Sequence, residues 1–160
     1  LFGAETGLPF FSANDADLAG VAEMAIGNGN GLMGKVIMVT IGTGLGSGVF
    51  QDGKLVPNLE LGRMLHTDGQ PIEFYASGKA KTEFNLSLEE WTERFNIFLL
   101  HVQRICNPDH LIIGGGLSEK IEEFKDKLEV LATIRPAKFL NDAGIIGAAM
   151  FAEQNHRANG

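Results

Sequence analysis

Two hydrophobic periods alternate along the chain. Residues 35–41 form a β-branched, nearly continuous apolar run, Val36-Ile37-Met38-Val39-Thr40-Ile41, which predicts a buried strand. It breaks into Gly42-Thr43-Gly44-Leu45-Gly46-Ser47-Gly48 and resumes as Val49-Phe50. Glycine at every second position predicts that something approaches the backbone closely there, and phosphate is the expected visitor. Ser47 to Phe50 and Leu55-Val56 flank Gln51-Asp52-Gly53-Lys54, where Asp52-Gly53 is a two-residue hairpin signal. The glycine loop is therefore itself a turn between strands.

The helical period appears elsewhere. Leu18, Ala19, Val21, Ala22 and Ile26 predict a helix that Asn14 or Asp15 caps and that Gly27-Asn28-Gly29-Asn30-Gly31 stops. Ser87-Leu88-Glu89-Glu90 is a capping box, followed by Leu88, Trp91, Phe95, Phe98, Leu99, Val102 and Ile105 on one predicted helix face, ended by Pro108. Leu111-Ile112-Ile113 then predicts a short buried strand running into Gly114-Gly115-Gly116, with Ser118 capping a helix through Ile121, Phe124 and Leu128. A strand over residues 133–139 precedes a last helix, capped by Asn141-Asp142, whose Gly144, Gly147, Ala148 and Ala149 permit close approach to a neighbour. Residues 1–13 read as a strand or loop arriving from elsewhere, 59–83 as an irregular candidate binding loop, and the tail from Asn155 as frayed. The order helix, hairpin, helix, strand, helix, strand, helix predicts an α/β layer, a sheet covered by helices.

Composition narrows the function classes. The 160 residues are 44% hydrophobic with a net charge of −7, which suits one soluble globular domain and argues against long-range steering of nucleic acid. The single cysteine, Cys106, rules out an intrachain disulfide framework and fits a reducing, cytoplasmic setting. No apolar run reaches the ~20 residues of a membrane span. His66, His101, His110 and His156 lack metal-ligand spacing, so no protein-bound metal and no zinc is expected. The chain opens on Leu1, read as a start that is not native.

The candidate chemistry has a plain structural alternative at each position. The 42–48 loop lacks both the dinucleotide fingerprint and the Gly-Lys-Ser/Thr ending of a Walker loop, so it is either a glycine-rich turn or a cradle of backbone amides and the Thr43 hydroxyl for an anion. Asp15 is either an N-cap or a carboxylate able to take a proton from a substrate hydroxyl that Asn14 helps to hold. Glu60 is a ligand or a solvated loop charge. Gly114-Gly115-Gly116 opens a predicted helix and so offers amides to an anion, or nothing. Lys54, Arg63, Lys79 and Lys81 either neutralise phosphates or are solvated.

The order of these signals carries more than any one of them. Asn14-Asp15-Ala16-Asp17-Leu18-Ala19-Gly20, Thr40-Ile41-Gly42-Thr43-Gly44-Leu45-Gly46, Val56-Pro57-Asn58-Leu59-Glu60-Leu61-Gly62, Ile112-Ile113-Gly114-Gly115-Gly116-Leu117-Ser118 and Asn141-Asp142-Ala143-Gly144-Ile145-Ile146-Gly147-Ala148-Ala149 together resemble the ROK family of sugar kinases and repressors, most of all its polyphosphate-dependent glucokinase branch. The resemblance implies an actin-like ATPase fold of the ribonuclease H type, with a mixed sheet flanked by helices. By the same resemblance, Asp15 is the catalytic base, and Asn14 and Glu60 bind the sugar, with Arg63 and Glu73 as further sugar-side positions. Thr40, Gly42, Thr43, Gly44 and Gly46 form a phosphate loop, and Gly114, Gly115 and Gly116 line the nucleotide side. It further implies phosphoryl transfer from ATP or polyphosphate, with Mg2+ accompanying the donor, to a hexose such as glucose, in a cytoplasmic homodimer without nucleic-acid or membrane partners. The alternative within the family is a sugar-sensing transcriptional regulator. Two departures stand out: Arg63 replaces a histidine usual in the family, and the family's Asp-x-Gly-Gly-Thr phosphate loop is absent. The chain therefore reads as a C-terminal lobe, with residues 1–13 as the end of a preceding lobe or hinge, inactive by itself.

Overall fold

The computed structural model describes residues 11–159 together with Glu5 and Gly7. The reading of 1–13 as a hinge falls mostly outside these residues. Helix α1 (Asp15–Ile26) leads to strands β1 (Lys35–Ile41), β2 (Leu45–Gln51) and β3 (Lys54–Val56). Helices α2 (Glu73–Ala76), α3 (Gly78–Glu83) and α4 (Leu88–Cys106) follow, then β4 (His110–Gly114), α5 (Ile121–Phe124), β5 (Thr133–Pro136) and α6 (Ala143–Asn159). The five strands lie in the order β3-β2-β1-β4-β5. β1 to β3 form an antiparallel meander, while β4 and β5 run parallel to β1. This is the mixed sheet that the family resemblance implies.

β1 is the central strand because its side chains are apolar on both faces. Ile37, Val39 and Ile41 join Trp91, Phe95, Phe98, Leu99 and Val102 of α4 in one core. Val36 and Met38 join Ala19 and Val21 of α1, Phe50, Ile112 and Ala143 in the other. Each fully buried side chain of this size contributes ~1.5–3 kcal/mol. Trp91 anchors the first core: its ring stacks on Phe95 and meets Phe124 edge-on, while its indole N–H donates to the carbonyls of Ala76 and Ser77.

Local signals held where they were local. The Asp52-Gly53 turn has φ of 50° and 77°, the left-handed pair that a two-residue hairpin needs. The capping box at Ser87 and Glu90 closes in both directions. Gly147 packs so tightly that a Cβ there would fall on the Leu18 carbonyl, whereas a Cβ on Gly144 would meet open space and Ala148 and Ala149 are exposed, so of the four small residues of α6 it is Gly147 that makes the close approach to α1.

Several expectations need correction. Residues 59–83 are not a loop: they hold a 3-10 turn at Leu61–Arg63 and helices α2 and α3. Ile105 is 67% exposed, while Val102 and Cys106 hold the last turn of α4 against the core. Ser118 does not cap a helix; its hydroxyl donates to the Gly115 carbonyl within a 3-10 turn, Gly116–Lys120. β5 ends at Pro136, where the ring removes a ladder donor, rather than at 139. Beyond Asn155, α6 continues to Asn159, with an Arg157–Glu153 ion pair one turn apart.

Candidate functional site

A cleft of about 600 Å³ opens at the C-terminal ends of β1 and β4, where ligands settle in sheets of this kind. Four parts of the chain supply its polar side chains: the start of α1, the β1–β2 turn, the connection after β3 and α2. At the start of α1, Asn14 is the N-cap and accepts the Ala16 N–H through Oδ1 at 2.9 Å. This leaves its Nδ2 to donate to Glu60 Oε1 at 2.8 Å. Asp15 is the first helical residue, not the cap. Its Oδ1 accepts the same Ala16 N–H at 2.8 Å, which fixes the carboxylate, and the residue is exposed to the cleft. Both cap and candidate base are thus present, on adjacent residues.

The β1–β2 turn forms the next part of the wall. Gly42 donates its N–H to the Gly44 carbonyl, and a Cβ on Gly42 would meet nothing within 4 Å, so this backbone faces open space. Thr43 is exposed beside it. Gly46 and Gly48 have a different reason for lacking side chains: a Cβ at either would strike Ala16, at 2.9 Å from its Cβ or 2.7 Å from its carbonyl oxygen. The alternate glycines therefore divide their work. Gly42 leaves room for a ligand, whereas Gly46 and Gly48 seat the first turn of α1 on β2. Thr40 stands behind this turn, its hydroxyl against the site a Gly46 side chain would occupy.

Glu73, on α2, reaches the turn from the other side and accepts the Leu45 N–H at 3.3 Å through Oε2. It lines the cleft and braces the glycine turn at once. Gly115, with φ of 83°, and Gly116 complete the wall after β4.

The structure thus gathers Asn14, Asp15, Thr40, Gly42, Thr43, Gly44, Gly46, Glu60, Glu73, Gly115 and Gly116 around one opening. It does not bring Gly114 or Arg63 into that lining. Gly114 is buried in β4, where a Cβ would press on Met38 and Ala137. Arg63 is largely solvated and pairs with Glu60 Oε2 at 3.5 Å. The glycines after β4 open only a 3-10 turn, so no long helix dipole aims at the cleft there. Lys79 forms a solvated pair with Glu83 and lines a neighbouring hollow with Thr43, Gly44 and Glu73, while Lys81 donates to the Leu86 carbonyl. The lining carries three carboxylates and no lysine or arginine, so an anion on this wall would meet backbone amides and the Thr43 hydroxyl.

Sequence reasoning missed an apolar lip of Ala19, Leu140 and Ile145. Leu140 has φ of 46°, a conformation that its side chain gives no hint of. It also missed Glu23, a wholly buried carboxylate. Glu23 accepts the N–H groups of Asn28, Lys138 and Phe139 and so fixes the chain entering that lip. The available signal was a glutamate four residues after Ala19 on an otherwise apolar helix face.

The model of the ROK family matches residues 1–68. The polyphosphate glucokinase of Mycobacterium leprae (strain TN) is 39% identical over 137 residues, 86% of this chain and 42% of its own length. The crystal structure of an inorganic polyphosphate/ATP-glucomannokinase from Arthrobacter sp. strain KM superposes with a TM-score of 0.89 at 40% identity, over 96% of this chain and 60% of that one. The chain is thus similar to ROK family proteins along nearly its whole length. A ROK family glucokinase from Streptomyces griseus, in complex with glucose and AMPPNP, superposes at a TM-score of 0.76 and 23% identity, over 95% of this chain and 70% of that one, which shows the shared fold. That fold is the actin-like ATPase fold, here with its mixed sheet flanked by helices. The chain spans about half the length of the curated relatives it matches.

Proposed function

We propose that the protein to which this chain belongs phosphorylates a hexose hydroxyl, glucose first among them, with ATP or polyphosphate as donor. The observation that carries this reading is the meeting of Asn14, Asp15 and Glu60 with the Gly42 turn in one cleft, in a chain whose relatives are named polyphosphate glucokinases. The regulator alternative has less behind it, since the relatives sharing most identity bear kinase names.

In this reading Asp15 takes the proton of the attacking hydroxyl. The Ala16 N–H holds Oδ1, so Oδ2 is the oxygen turned to the sugar. Asn14 and Glu60, already hydrogen-bonded to each other, present one amide and one carboxylate to neighbouring sugar hydroxyls. The Gly42 turn offers its backbone to the transferring phosphoryl group, and Gly115 and Gly116 border the donor. Among the described residues no three of His, Cys, Asp and Glu are grouped to hold a metal, so Mg2+ would be held chiefly by the donor's phosphates, whose charge it offsets. Phosphoryl transfer rests on positioning and on charge neutralisation from several sides. The Asp-x-Gly-Gly-Thr wall does not occur in these residues, so this lobe alone is inactive and the intact protein, a homodimer of the cytoplasm in this reading, is the enzyme.

Calorimetric titration of the full-length protein with glucose and mannose tests the sugar site. Binding in the millimolar range or tighter, weakened about tenfold or more in Glu60→Ala through loss of charge-assisted hydrogen bonds, is the expected result. A folded protein that binds neither sugar contradicts the proposal.

A further inference from the structure

Glu60 stands on a short connection between β3 and the Leu61–Arg63 turn, exposed and without a helix or strand of its own to hold it. Its backbone neighbours are nevertheless tied down by two buried side chains. Asp17 Oδ2 accepts the Asn58 N–H at 2.9 Å. The Ser47 hydroxyl donates to the Leu59 carbonyl at 2.5 Å and accepts the Leu61 N–H at 2.8 Å, so one hydroxyl clamps both residues flanking Glu60. Asp17 is 1% exposed and Ser47 3%, and neither lines the cleft. Asp17 belongs to the helix that presents Asn14 and Asp15, and Ser47 to the strand that leaves the glycine turn.

We propose that Asp17 and Ser47 are positioning residues for hexose recognition: from α1 and β2 they latch residues 58–61 so that Glu60 is held against Asn14 at a set distance from Asp15. The proposal rests on the sugar-kinase reading for its substrate, but the latch itself is a matter of backbone hydrogen bonds. The cost of Asp17 supports it. A buried carboxylate is expensive unless fully hydrogen-bonded, and Asp17 Oδ1 has no partner among the described residues. The one hydrogen bond it does make goes to the segment that carries Glu60. Steric closeness adds to the latch, since Gly62 lies directly against the Leu45 carbonyl, where any side chain would collide.

The test uses the full-length protein with Asp17→Ala, Asp17→Asn, Ser47→Ala, Glu60→Ala and the double variant Asp17→Ala/Glu60→Ala. It reads amide hydrogen exchange at Asn58 and Leu61 together with kcat and KM for hexose. Exchange at Asn58 accelerates about tenfold or more in Asp17→Ala and stays near wild type in Asp17→Asn, which keeps an acceptor; Leu61 responds in the same way to Ser47→Ala. Hexose KM rises about tenfold in either alanine variant, with kcat within about threefold, as expected for lost binding rather than lost chemistry. Because the latch acts through Glu60, Asp17→Ala adds nothing to KM in the Glu60→Ala background. Unchanged exchange at Asn58, or KM effects that multiply in the double variant, overturns the proposal. A wild-type protein that phosphorylates no hexose overturns the sugar reading instead, and exchange still decides the latch. If Asp17→Ala fails to fold, Ser47→Ala at Leu61 carries the same comparison.

Discussion

Asp15 and Asp17 are two residues apart in the first turn of α1 and meet opposite environments. Asp15 opens on the cleft, while Asp17 is buried beneath it. Burial pushes the Asp17 carboxyl above its ordinary value of 3.8, the Asn58 N–H opposes that, and the nearby charges of Glu60 and Asp15 add to it. The raised acid is a stability statement with a definite sign. Above the native-state pKa, Asp17 is charged in folded and unfolded chains alike and its penalty is fully present; below 3.8 it is protonated in both and the penalty is gone. Asp17→Asn should therefore raise the melting temperature relative to wild type by more at pH 7 than at pH 3.5. Paired melts across that range check it, and a difference that is constant or grows in acid would refute it. The sequence singled out Asp15 at a helix start, but it gave no sign that Asp17 is buried, because burial belongs to the packing of α1 on β2 and not to either residue.

At the scale of elements, the α1–α6 pair is the most demanding contact. Gly147 rests on the Leu18 carbonyl, and the chain entering α6 forms the apolar lip of the cleft. Gly147→Val should cost about 1–3 kcal/mol through overpacking. Chemical denaturation measures this, and unchanged stability would mean that the two helices can slide apart freely. The elements legible in the sequence are those specified by near neighbours. β1 is fixed by its own β-branched run, the hairpin by Asp52-Gly53, and α4 by its cap and period. Helices α2 and α3 are four and six residues long, too short to show a period. They are set by distant partners instead: Trp91 takes the carbonyls of Ala76 and Ser77, and Lys79 donates its N–H to the Gly42 carbonyl. The glycine run was legible as a close approach but not as to which visitor, and two of its members face helix α1 rather than a ligand. Ser47 and Glu23 went unremarked because a buried polar residue looks like a surface one until its partners are placed.

For the whole molecule, the cleft is a single wall whose lining carries Asp15, Glu60 and Glu73 and no basic side chain. A phosphoryl donor on such a wall needs charge neutralisation from elsewhere, which is the physical reason to place the activity in the intact protein. Assayed alone, the 160 residues should turn over hexose at least about a hundredfold more slowly than the full-length protein, since much of the rate in such reactions comes from positioning. Comparable rates would remove the need for a second wall. The central claim is that Asp15 takes the proton while Asn14 and Glu60 hold the sugar, and it is tested most directly by Asp15→Asn in the full-length protein. Hexose-dependent phosphoryl transfer, followed with ATP and with polyphosphate, should show kcat reduced by about 10²–10⁴-fold with hexose KM within about threefold of wild type. A kcat that stays at the wild-type level with both donors would contradict the assignment of Asp15 as the base.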